Sequence, residues 1–161
     1  MIPTIDKWSY PLRALITCFL IVLSIGFYTG IRFVGETNST NPDGLVEHYN
    51  GNEDDEDTMV MKFKKSAQEM LTIVHTHILS MSMLFFMTGF LLSQTPINQR
   101  LKLFLIIEPF VSIVLTFGGL YLIWYGVEWF RYVVIISGIA MTLAYTAAVV
   151  IILKHLRLFS S

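Results

Sequence analysis

The chain holds a single cysteine, Cys18, so neither an intrachain disulfide nor a cysteine-based zinc site can form. Its place inside a long apolar stretch suits a small filler residue. Charge is scarce too: 14% of the 161 residues are Asp, Glu, Lys or Arg, where a soluble domain carries about a quarter. Beyond the three lysines Lys62, Lys64 and Lys65 there is no basic patch, which excludes nucleic acid as a partner. The chain also lacks a P-loop, a dinucleotide fingerprint, a CxxCH haem attachment, an HExxH helix and a nucleophile elbow, so the chemistry each of those motifs performs is not written here. No internal repeat is present.

What remains is hydrocarbon. Hydrophobic residues make up 54% of the chain and gather into four blocks, about 12–34, 71–92, 103–125 and 132–153. Each reaches the roughly 20 residues that span a bilayer core, and backbone groups in lipid must be satisfied within the segment, which makes these blocks helices. The first is too long for the apolar region of a signal peptide and has no small-residue cleavage site, so it reads as a retained helix, led in by Trp8, Tyr10 and Pro11 at the interface. The expected fold is all-α: one integral membrane domain over 1–161, with four transmembrane helices in an up-down antiparallel bundle, because the short connections 94–100 and 126–131 make neighbours antiparallel.

Basic residues set the expected orientation. Lys7, Arg13, Arg100, Lys102, Lys154 and Arg157 fall on one side with Asp6, while Arg32, Lys62, Lys64, Lys65 and Arg131 share the other with most of the acids. Because the three lysines belong to a long segment, the short-loop comparison favours both termini in the cytoplasm. The expected location is a bacterial inner membrane, with the acidic segment 35–65 outside as a loop. Turn residues at Asn41, Pro42, Asp43 and Gly44 and the acidic run through Asp57 support a loop there. Its last residues, from Met61, could start the second membrane helix early along the headgroups, with Phe63 and Met70 inward. Asn38-Ser39-Thr40 is a glycosylation triplet that matters only in a eukaryotic secretory setting.

Chemistry concentrates on the second membrane helix. His75 and His77 lie within its first turns, and ionisable residues at membrane depth point to function by default. At about 100° per residue the two rings stand about 200° apart and cannot hold one ion together. Thr76 and Ser80 flank His77, and Thr72 and Ser82 flank His75, so this helix is expected to be enclosed on two sides. A neutral imidazole suits haem iron, which makes haem b the candidate cofactor on His75 or His77, with Arg131 available for a propionate or a lipid phosphate. His155 lies at the other end of the bundle, so a bis-histidine haem needs His48 or a neighbouring subunit. A divalent metal on His48 with His75 or His77, assisted by Glu47 or the acidic run, is the other ligand set.

The third membrane helix carries Glu108 beside Pro109, and a carboxylate there must be paired, hydrated or protonated. Tyr145 of the fourth helix lies near its depth and is the expected hydrogen-bond partner; a proton or ion pathway through Glu108 is the alternative role. Trp124, Tyr125, Glu128, Trp129, Phe130, Arg131 and Tyr132 read as an interfacial aromatic belt with one ion pair. These residues imply a small subunit of a respiratory or electron-transfer membrane complex, not an enzyme on its own. A non-redox structural or assembly subunit is the other candidate. The expected partners are membrane lipid and other membrane-protein subunits or further copies of the chain.

Overall fold

The computed structural model describes residues 4–36, 40–53 and 60–156. Four helices are long and apolar enough to cross a membrane: α1 (Tyr10–Glu36), α3 (Ala67–Ser93), α4 (Gln99–Trp124) and α5 (Phe130–Leu156). A short helix α2 (Pro42–Asn50) lies between the first two. The protein is an all-α integral membrane protein. The sequon residues Asn38 and Ser39, the acids Asp54–Asp57 and Arg157 lie outside the described residues.

The hydrophilic segment is not wholly a loop, and the turn residues themselves explain why. Asn41 is the N-cap of α2, its side chain accepting from the Gly44 amide at 2.6 Å, and Pro42 follows at the start of the helix. Its missing N–H costs nothing there. Leu45 is buried, and Val46 and Tyr49 pack against the same core. Gly51 ends the helix at φ 82°. The stretch after it does not start α3 early. Residues 61–66 are not helical, Phe63 is 70% exposed instead of inward, and Met70 alone of that expected pair is buried. Ser66 and Glu69 close a reciprocal capping box that begins α3 at Ala67.

Lipid is as apolar as leucine, so helices in a bilayer associate through close packing and hydrogen bonds. α4 and α5 supply both. Gly119 lets Val134 approach closely, Ile113, Leu120 and Ile123 of α4 and Met141, Ala144 and Ala148 of α5 are buried, and Thr116 and Ser137 share a buried hydrogen bond of 2.8 Å. α3 is buried only at Met70 and from Phe85 onward. α1 is peripheral: Thr17, Leu20 and Phe27 are its buried residues. It is held by Phe27 stacked on Tyr145 at 4.1 Å, by Ser24 on the Tyr145 hydroxyl at 3.1 Å and by Tyr28 on Thr146 at 2.7 Å. Cys18 is exposed on this helix, so it is no core filler.

Long-range hydrogen bonds tie the two ends. At one, the Ile5 amide donates to Gln94 O and Arg13 donates to Leu156 O, each at 3.1 Å. At the other, Asn50 donates to Ile123 O at 2.8 Å and Trp124 Nε1 to Lys65 O at 2.7 Å. α2 and residues 60–65 thus form a cap over the ends of α4 and α5, opposite the terminal end that holds Ile5 and Leu156.

Candidate functional site

The two histidines sit in the half of α3 that the bundle leaves uncovered. His77 is fixed on two sides: its Nδ1 lies 2.8 Å from Ile73 O, and its ring stacks on Phe117 of α4 with centroids 4.9 Å apart. A carbonyl oxygen only accepts, so Nδ1 must carry the proton, and in the neutral ring Nε2 keeps its lone pair. His75 is exposed and has no hydrogen-bond partner among the described residues. Thr76, Leu79, Ser80 and Met83 are exposed beside it. The expected enclosure of this helix on two sides is therefore not provided by the described residues, because α1 crosses α3 nearer the terminal end, where Phe27 meets Phe85 at 6.3 Å.

The described residues hold only part of the expected ligand sets, since the acids at 54–57 lie outside them. Among the described residues no group of three or more His, Cys, Asp or Glu could hold a metal ion, so His48, His75 and His77 form no common site. His155 makes the same local bond as His77, Nδ1 to Ile151 O at 2.8 Å, at the terminal end. Among the described histidines His77 is the one fixed by both a hydrogen bond and a stacked ring, and its Nε2 has no partner among the described residues. Arg131 is drawn to the cap, with its Nε buried and without a partner among the described residues. It pairs with Asp43 at 2.7 Å and lies over the Tyr132 ring, so the ion pair at the aromatic belt joins α5 to α2 and does not involve the Glu128 side chain. That contact was hidden in sequence because Asp43 read as a turn residue 88 positions away.

Glu108 and Tyr145 do not pair. The Ser112 hydroxyl donates to Glu108 Oε1, and Tyr145 turns to Ser24 of α1. A residue four positions on in the same helix is simply nearer. Glu108 Oε2 is buried with no partner.

The cap is electrostatically organised. Lys62 pairs with Glu47 at 3.2 Å, Lys64 lies over Trp124 and Lys65 over Tyr49. Burial pushes the Tyr49 phenol up to about 12. Burial, then the charges of Lys65 and Lys62, hold the His48 imidazole below its ordinary 6.5. An imidazole whose folded pKa is depressed stabilises the cap fully above 6.5 and ceases to as pH falls through the folded value. Protection factors in α2, taken relative to the intrinsic exchange rate at each pH, should therefore fall on acidification below that pH, and His48→Gln should flatten the dependence.

No curated protein and no solved structure matches the chain. A family of transmembrane helical domains does, over residues 39–159. The match takes in α2 to α5, the capped three-helix core, and leaves the peripheral α1 outside it. Covering most of the chain, it shows that this protein belongs to the Aq_1264_TM family of transmembrane helical domains.

Proposed function

We propose that this protein is a subunit of a larger membrane complex and that a partner protein covers the cap-side half of α3. The exposed polar face there supports this. His75, Thr76 and Ser80 stand outward at membrane depth beside Leu79 and Met83, which are 60% and 64% exposed. An imidazole turned to hydrocarbon is costly, whereas a packed helix offers it hydrogen-bond partners. In this reading the bundle is up-down and antiparallel, both termini are cytoplasmic and the acidic segment lies outside a bacterial inner membrane. The hydrogen bonds that gather Ile5, Gln94, Arg13 and Leu156 at one end support that topology.

An electron-transfer role is the finer form of the proposal and rests on His77, whose ring is fixed through Nδ1 and Phe117 and whose Nε2 has no partner among the described residues. Haem b would be held by His77 from this chain and one ligand from the partner, supplying one-electron chemistry; His75 makes no hydrogen bond that would orient its ring, so His77 is the favoured ligand.

One preparation tests both levels. The tagged full-length chain, extracted in mild detergent, should migrate well above monomer mass. Ser80→Trp, which lipid tolerates and a packed partner does not, should release monomer with unchanged helical circular dichroism, while Ile139→Trp on an exposed face of α5 should not. Equal behaviour of the two variants removes the proposal. A Soret band that His77→Ala abolishes and His75→Ala preserves supports the haem form; a colourless complex leaves a structural or assembly subunit.

A further inference from the structure

A groove of about 560 Å³ runs along α1, walled by Leu20, Ile21 and Ile25 with Leu153 of α5 at its foot, and Arg32 stands at its mouth on the cap side. The hydroxyls along it are already engaged. Ser24 bonds to Tyr145 and Thr29 donates to Gly26 O at 2.8 Å, so the walls present hydrocarbon. From Leu20 to Arg32 the helix rises about 18 Å. That is close to the roughly 15 Å depth of one leaflet, half of a hydrocarbon core of about 30 Å.

We propose that this groove is a binding site for a phospholipid, one acyl chain lying between α1 and α5 and the phosphate on Arg32. The length and the charge both point to this occupant. A chain entering at headgroup level lies along Ile25 and Ile21 and reaches Leu20 after about one leaflet, and a guanidinium takes a phosphate in a two-pronged contact. Glu36 already accepts from Arg32 at 3.5 Å, but both side chains are largely exposed, at 84% and 74%. A pair so exposed is weak, and one carboxylate oxygen occupies one of the five donors of the guanidinium fork. The lipid would complete the attachment of α1, whose hydrogen bonds and ring contacts to α5 are the Arg13 bond to Leu156 O and a few aromatic and hydroxyl pairs.

Native mass spectrometry of the full-length chain, released from detergent with added phosphatidylglycerol, tests the site. The expected result is a one-to-one adduct that survives gentle activation. Arg32→Gln should lower its occupancy at least fivefold. Ile25→Trp, which fills the groove from a position 60% exposed, should abolish it, and Ile21→Phe should weaken it should the tryptophan variant fail to fold. Arg100→Gln, at the terminal end, should leave it unchanged. Wild-type occupancy in both Arg32→Gln and the groove-filling variants overturns the proposal. So does a lipid-independent dimer that Ile25→Trp dissociates, since the groove would then belong to a second copy.

Discussion

Gly119→Ala should destabilise the bundle by about 1–3 kcal/mol, the usual range for overpacking a close contact, and Val134→Ala in the same chain should recover most of the loss. A methyl at position 119 would lie 2.6 Å from Val134 Cγ2. Neither side can give way easily, because valine on a helix has one strongly preferred rotamer and both backbones are held by buried neighbours. Thr116 and Ser137 cross the same interface one turn away, 2.8 Å apart. Pushing the helices apart lengthens that bond as well, so part of the cost is electrostatic. The neighbouring Gly118 is the control: nothing lies within 4 Å of its added methyl, and Gly118→Ala should be neutral or slightly stabilising through helix propensity. Unfolding in mixed micelles by denaturing detergent measures all three variants against the wild type. Equal losses at positions 118 and 119 would show that helix propensity, not the α4–α5 contact, sets the effect.

Gly51→Ala should detach the cap while leaving the membrane helices folded. Gly51 has φ 82° and ψ 179°, a region open almost only to glycine, where another residue costs on the order of 1–3 kcal/mol. Steric conflict adds to that. A methyl there would stand 2.8 Å from Lys62 O and 2.8 Å from Lys64 N, and both are backbone atoms that no rotamer change can move. The segment they belong to is also the one that Asn52 holds, its amide donating to Lys62 O at 3.0 Å. Residues 60–65 should therefore leave α2 and take the Trp124 contact with them, since Trp124 Nε1 donates to Lys65 O. Faster amide exchange at Lys62 and Lys65, with a shift in tryptophan emission and unchanged protection in α4, is the expected signature. Unchanged exchange at those two amides would mean the cap is not anchored through Gly51.

The membrane helices were legible because their signal is bulk hydrophobicity, which needs no knowledge of neighbours. Three of the four apolar blocks lie inside a long helix and the block 103–125 ends one residue past α4, at its C-cap Tyr125, and the ends moved by a few residues where local capping decides, as Ser66 with Glu69 does for α3. The cap was not legible in the same way. Asn41, Pro42 and Asp43 are equally the vocabulary of a turn and of a helix start. The distinguishing sign was the apolar set Leu45, Val46 and Tyr49 that follows, too short to register as a period. Partner choice failed for a different reason. Depth counting placed Glu108 opposite Tyr145, but the same spacing places Ser112 on the next turn of the same helix, and the nearer hydroxyl took the carboxylate. Arg131 likewise went to Asp43 because α2 folds back over α5. For the histidines the angular separation was readable. Which ring would be pinned was not, because that depended on Phe117 of another helix.

Covering of the cap-side half of α3 by a partner protein is tested most directly by photo-cross-linking in native membranes. A photoreactive phenylalanine replaces His75 or Leu79, and Ile139 of α5, exposed to 57%, serves as the lipid-facing control. Positions 75 and 79 should each give a discrete adduct of the same higher mass, containing a second polypeptide, while position 139 gives lipid labelling alone. Lipid labelling alone at all three positions would contradict a partner on this face and leave His75 turned to the bilayer.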